Sequence, residues 1–264
     1  MNLSELSQSV EETARSSGAD LCGVVAINDL PEYHENIFRI LPSGRSLVVV
    51  AARHSLAAIR SANNQVAQYD VIHTYNEAAR SACTTARFLE SQGFSSVAVP
   101  AFIPIDMAEP KKGMKGEICW RKAGVMAGLG SYGENGLLVT KEFGSAVRIS
   151  GLVTTAALKA DSPLEEEVCD HCLRCLEACP VQALSGKGKI NKRLCGDAIF
   201  KYGFRFFRDF LKDLTTKPAV EMEKMIDGFE LRELWQTFMT GNYYYCFQCQ
   251  AQCPAGQMPR AFIG

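Results

Sequence analysis

The chain has 264 residues, of which 47% are hydrophobic and 22% charged, with a formal net charge of −1. That length suits two domains and can bury a sizeable core, and the near-neutral charge excludes the broad basic field that holds nucleic acid. The polar, acidic N-terminus has no signal-peptide h-region and no apolar run approaches ~20 residues, so a cytoplasmic chain without membrane contact is expected.

Leu6, Val10 and Ala14 recur at helical spacing in residues 4–17, Gly18 ends that helix, and 21–27 reads as a strand. A loop containing Pro31 and Pro42 leads to RSLVVVAARH (45–54), a valine-rich strand expected to be buried on both faces. A long helix over 70–92 carries Ala79, Ala82, Ala86 and Leu89 up to Gly93, and SSVAVPAFIP (95–104) is a strand ended by proline. Residues 105–116 read as loop, 117–127 as helix, and 137–141 and 146–154 as strands separated by a turn at Gly144-Ser145. Residues 1–160 thus form a mixed α/β layer.

Gly128-Leu-Gly130-Ser-Tyr-Gly133 satisfies the GxGxxG expression, but a dinucleotide fingerprint follows a strand and opens a helix. Here a helix precedes and a strand follows. The segment is either a tight turn between packed elements or a place where backbone approaches a flat or bulky ligand.

From 161 to 264 the texture changes to cysteine motifs and charged turns around a helix-rich insertion (196–240), in which Phe200, Phe204, Phe207 and Leu211 read as core. Cys169-x-x-Cys172-x-x-Cys175-x-x-x-Cys179-Pro180 has bacterial ferredoxin spacing, in which three thiolates hold one four-iron cluster and the fourth ligates a second. Cys246-x-x-Cys249-x-x-x-Cys253-Pro254 repeats the pattern without its first cysteine, so a remote ligand must complete it, and Cys195 is available. By that logic Cys169, Cys172, Cys175 and Cys253 hold one cluster, and Cys179, Cys195, Cys246 and Cys249 the other. Paired structural zinc sites are the alternative, but zinc has no use for a third cysteine at such spacing or for paired Cys-Pro endings. Eleven cysteines without an export signal fit metal or redox chemistry in a reducing, anaerobic or protected setting better than disulfides. Cys22, in a strand, and Cys83, in a helix, read as small buried hydrophobes, and Cys119, beside Trp120, stays a site candidate. His171 reads as a solvated side chain, with cluster tuning as its alternative role.

The segments GADLCGV (18–24), YNEAARSACTTARFLESQGFSSVAVP (75–100) and AGLGSYGENGLLVTKEFGSAVRISGLVT (127–154), with the cysteine order including Cys195, resemble the cobalamin-dependent epoxyqueuosine reductases, the reductive dehalogenases and their short double-cluster relatives. The resemblance implies an α+β chain: a nitroreductase-like, cobalamin-processing-like α/β domain, then a two-cluster ferredoxin-like domain with a helical insertion. It implies two [4Fe-4S] clusters and a corrinoid bordered by Gly128, Gly130, Gly133 and Asn135, with Thr140, Ser145, Arg53 and Tyr75 as further contacts. This chain departs from the family where a tryptophan and a lysine are common, having Ser131-Tyr132 and Glu134. No aspartate stands near Met114, where the epoxyqueuosine reductases carry their proton donor, and Asp106, Lys115 and Glu117 are the polar residues that could replace it.

The expected function is that of an iron–sulfur oxidoreductase passing electrons through two clusters to a corrinoid that reduces a small organic substrate, with ferredoxin or flavodoxin as donor. An accessory electron carrier serving a corrinoid protein is the alternative, and FMN on the first domain a lesser one. The chain ends soon after Cys253, without the helical-repeat tail of tRNA-acting members, so no nucleic-acid partner is expected.

Overall fold

A computed structural model of the chain describes residues 3–101, 116–241 and 244–256. Helix α1 (Leu3–Ser16) buries Leu6, Val10 and Ala14, the stripe that its spacing predicts. Strands β1 (Leu21–Ala26) and β2 (Ser46–Arg53) follow, separated by two 3-10 turns and helix α2 (His34–Ile40), where the prolines predict only loop. After α3 (Leu56–Ile59), the long helix α4 (Asn64–Ser91) starts earlier than expected. Its cap explains the difference: the Asn63 side chain accepts from the Gln65 amide at 2.9 Å, satisfying a donor that an uncapped helix leaves orphaned.

Strand β3 (Ser96–Val99) is shorter than the reading of 95–104, whose residues from 102 onward lie outside the described residues. Helix α5 (Trp120–Met126), the short pair β4 (Ser131–Tyr132) and β5 (Leu138–Val139), and β6 (Val147–Thr154) complete the first half.

The longer strands form one antiparallel sheet in the order β1-β2-β6-β3. Successive side chains of β2 alternate between faces, so its valine run serves two cores. Val48 and Val50 meet Leu6, Val10, Ala82, Ala86 and Leu89 of α1 and α4 on one face. Leu47, Val49 and Ala51 meet Ile37, Trp120 and Ala123 of α2 and α5 on the other. Helices thus cover both faces, which is why β2 is buried up to Arg53.

Beyond β6, regular structure among the described residues is helical apart from an isolated bridge between Leu184 and Ile190. Short α6 (Arg174–Glu177) and α7 (Lys192–Ile199) precede the insertion of α8 (Phe204–Thr216), α9 (Ala219–Ile226) and α10 (Phe229–Thr240), and α11 (Gln248–Ala251) closes the described chain. No helix among the described residues is long and apolar enough to cross a membrane.

Phe204 is 65% exposed and Leu211 46% exposed, so the stripe read through them is not the inward one. The inward line runs one position away, through Tyr202, Phe206 and Phe210, with ring centroids 5.0 Å and 6.2 Å apart. Adjacent stripes differ by about 100° of helix rotation, and Tyr245, 5.1 Å from Tyr202, selects the face. Cys83 is likewise exposed, because α4 buries its neighbours Ser81, Ala82, Thr85 and Ala86 instead.

Gly151 in β6 shows how tightly the second core is closed: a Cβ there would come 2.4 Å from both the Trp120 ring and the Val48 carbonyl oxygen. Gly151→Ala should therefore cost about 1–3 kcal/mol by overpacking. The check is a lower denaturant midpoint at unchanged slope, and an unchanged midpoint would mean that the indole moves aside freely.

Candidate functional site

The first cysteine motif turns on two residues in the left-handed region, His171 (φ 55°) and Leu173 (φ 60°), a conformation costly for any side chain larger than glycine's. The resulting loop sets Cys169, Cys172 and Cys175 on the wall of a half-open cavity, and Cys253, with Pro254 and Ala255, lines it from the far end of the sequence. Cys175 is buried and Cys172 exposed, so the cavity has an inner wall and an outer rim. Burial, followed by the Cys169 and Cys253 thiols, pushes Cys175 up to about 11.

The other four cysteines lie within electrostatic reach of one another. Burial pushes Cys195 of α7 up to about 11, with Cys246 and Cys179 adding to the effect. Cys249 of α11 rises to about 12, again through burial first and then through Cys246, Cys195, Cys175 and Cys179. The Cys179 sulfur accepts from the Ala183 amide at 3.2 Å. Among the described residues no three His, Cys, Asp or Glu side chains converge as a single metal ion demands. The first set's sulfurs instead surround a space, and a four-iron cluster takes one thiolate per iron. The donor chemistry, four thiols on the wall of one cavity, is what that group takes.

The glycine segment faces the protein's own backbone. A Cβ on Gly128 (φ 68°) would come 2.5 Å from the Ser162 carbonyl oxygen, and one on Gly130 would come 2.1 Å from that of Val139. Close packing of the chain on itself requires glycine at both places. Gly133 and Asn135 border the first cysteine cavity. Thr140 and Ser145 are buried, and the Thr140 hydroxyl accepts from the Phe143 amide at 3.0 Å. Arg53 pairs with Asp20 at 3.4 Å and lies over the Phe143 ring, while Tyr75 stacks against Arg148. Gly133 and Asn135 thus border the cysteine cavity, while Gly128, Gly130, Thr140, Arg53 and Tyr75 are engaged by neighbouring groups of the protein itself. Asp106 and Lys115 lie outside the described residues, and Glu117 pairs with Arg39 at 2.8 Å.

Sequence reasoning missed the residues that clamp the loop to the cysteine motif. The Ser131 hydroxyl accepts from the Val168 amide at 2.9 Å. Glu134 accepts from His171 Nδ1 at 2.7 Å and from the Lys187 amide, and the first of these bonds holds its carboxyl below the usual range. His171 Nε2 donates to Glu167 at 2.9 Å, so carboxylates at both ring nitrogens hold the imidazole above its ordinary pKa. His171 is thus half-exposed and paired, not merely solvated. An acid inside the glycine segment and a histidine inside a CxxC loop were the available signals.

A buried polar cluster lies where β2 ends against α4. His54 Nδ1 donates to Asp70 at 2.6 Å, and the Thr74 hydroxyl lies 3.3 Å from the same nitrogen. Burial and then the Arg148 charge lower His54 to about 4, against the pull of Asp70. The neutral ring keeps its proton on Nδ1, and Nε2 has no partner among the described residues.

Residues 163–185 match the family model described as a 4Fe-4S binding domain. The chain is similar to epoxyqueuosine reductases and reductive dehalogenases. It is 31% identical over 163 residues to an epoxyqueuosine reductase of Gloeobacter violaceus, covering 61% of this chain and 47% of that protein. It is 31% identical over 144 residues to a tetrachloroethene reductive dehalogenase of Dehalobacter restrictus, covering 53% of this chain and 24% of the relative. A solved epoxyqueuosine reductase with an epoxyqueuosine-modified tRNA stem loop shares the fold at TM-score 0.56 and 20% identity, over 97% of this chain and 66% of that one. A solved reductive dehalogenase, studied for B12-dependent dehalogenation, does so at TM-score 0.59 and 14% identity, over 95% and 38%. The chain spans less than half the length of the curated relatives it matches. Because one neighbour holds a tRNA stem loop, the expectation against a nucleic-acid partner is not carried forward.

His54 makes a pH prediction. Its folded pKa lies below the ordinary ~6.5, so the unfolded chain takes up the proton first as pH falls. The contribution is intact above about 6.5 and lost down to about 4, a loss of about 3 kcal/mol in full. Chemical denaturation at a series of pH values should show a shallower decline for His54→Gln than for the parent, and identical slopes would contradict the assignment.

Proposed function

We propose that the chain is an iron–sulfur electron-transfer reductase with a nitroreductase-like domain over 1–160 and a two-cluster module over 161–264. Cys169, Cys172, Cys175 and Cys253 hold one [4Fe-4S] cluster, and Cys179, Cys195, Cys246 and Cys249 hold the second. The observation that carries this reading is the cavity itself, where Cys253 joins three cysteines of a motif far away in sequence. Bound clusters would supply single-electron chemistry.

The chain's own residues organise the rest. Exposed Cys172 marks the rim at which a protein donor such as ferredoxin or flavodoxin would approach. Cys249 and Cys195 lie in partly buried surroundings that disfavour free thiolates. Ser131 and Glu134 hold the first motif against the glycine segment. The acceptor is a small organic substrate or a corrinoid-bearing protein, and the setting is cytoplasmic.

A second reading keeps the corrinoid on this chain, favoured by the shared fold with a dehalogenase studied for B12-dependent chemistry.

Anaerobic reconstitution should give about eight irons per chain, and Cys195→Ala should lose about half of them. Full iron retention in that variant would remove Cys195 from the ligand set. Optical titration with cobalamin and a gel shift with a tRNA stem loop separate the acceptors. Tight cobalamin binding would favour the second reading, and retention of the stem loop would name RNA as the substrate class.

A further inference from the structure

Arg148, on β6, is 7% exposed. Its guanidinium lies between the rings of Tyr75 and Tyr244, 4.9 Å and 4.5 Å from their centroids. Its Nε and Nη2 donors have no acceptor, and no carboxylate pairs with it among the described residues. Aromatic faces meet part of the need of a buried cation, but full burial without a countercharge is costly. Tyr244, whose ring covers the guanidinium, stands two residues before Cys246, so Arg148 is packed against the segment that carries Cys246 and Cys249. The frame is fixed, because Gln250, next to Cys249, donates to the Ser145 carbonyl at 2.8 Å, close to Arg148 in sequence.

We infer that Arg148 is the internal countercharge of the second cysteine set, raising the reduction potential of the cluster that Cys249 would ligate above that of the first. This rests on the two-cluster reading proposed above. A four-iron core with four thiolates is net negative and gains a further negative charge on reduction, so local charge moves its potential. A fixed cation in a low-dielectric interior favours the reduced form more than the oxidised one. The first cavity's lining carries Glu134 and Asp170 and neither lysine nor arginine, with His171 paired to Glu134 and the Arg174 charge reaching Cys172 at the rim. Arg121, whose charge reaches Cys195, adds to the positive side of the second set. An electron given up by a low-potential protein donor to the outer set therefore settles on the inner one.

The test is potentiometric titration of the reconstituted full chain, followed by electron paramagnetic resonance, with Arg148→Met and Arg148→Lys. Arg148→Met should lower one cluster's potential by a tenfold or greater change in its reduction equilibrium, about 59 mV for one electron, and leave the other unmoved. Arg148→Lys keeps the charge but loses the planar stacking, and should stay near the parent. If Arg148→Met loses the second cluster while Arg148→Lys retains it, the charge is again the cause. The apo chain gives a second readout, since Arg148→Met should raise its denaturant midpoint while shrinking the gain on cluster loading. Unmoved potentials in a fully loaded Arg148→Met, or equal effects of both substitutions, would overturn the inference in favour of packing. A parent chain that holds only one cluster would fail the two-cluster reading and the inference with it, whereas two clusters with unmoved potentials would fail the inference alone.

Discussion

The second half of this molecule depends on one long-range constraint, the return of residues 244–256 to the first cysteine motif. Cys253 cannot line the cavity with Cys169, Cys172 and Cys175 unless the chain between them is anchored, and the anchor is on the sheet unit. Phe247 and Ala251 enter an apolar cluster with Ile59, Ala67, Val71 and Ala146. Around it, Arg60 donates to the Ala251 carbonyl at 2.8 Å and Gln250 to that of Ser145. The turn at Gly144 is crowded by the same segment, since a Cβ there would come 2.2 Å from the Ala255 carbonyl oxygen and 3.3 Å from the Cys253 sulfur. The sulfur positions are thus set by hydrophobic and hydrogen-bonded docking, which any thiolate ligation would then reinforce.

The loop at 128–136 belongs to the same constraint. Ser131 and Glu134 bond to Val168, His171 and Lys187, so their oxygen atoms accept from the cysteine module. The loop is therefore better described by what it fastens than by a ligand it would border. Arg121, donating to the Gly136 carbonyl at 2.7 Å, fastens its other end to α5.

How much of this could be read from sequence depended on the range of the interaction. The valine run of β2 and the stripe of α1 were legible because local periodicity reports directly on which faces are covered. The cysteine spacings were legible for a similar reason, since the loop geometry is local. The inward face of α8 was not, because Tyr202 and Phe206 compete with Phe204 as an apolar stripe and only Tyr245, distant in sequence, decides between them. The clamp by Glu134 and the burial of Arg148 were hidden for the same cause. Nothing next to either residue in sequence announces its partner.

Charge balance ties these parts together. The interior beside α11 holds thiols pushed up to about 12 and about 11 at Cys249 and Cys195, a histidine lowered to about 4 at His54, and an arginine with donors unmet at Arg148. Each departure has the same origin, since burial disfavours charge on groups that lack a compensating neighbour. Without bound metal, the thiols stay protonated and two guanidinium donors stay unmet, so the region is held by apolar packing and the hydrogen bonds of Arg60 and Gln250. Under the proposed ligation the thiols release their protons, negative charge appears beside Arg148, and the costs of burying each offset one another. Binding free energy then becomes folding free energy for α7 and α11, and the same juxtaposition that would stabilise the loaded module also penalises the empty one.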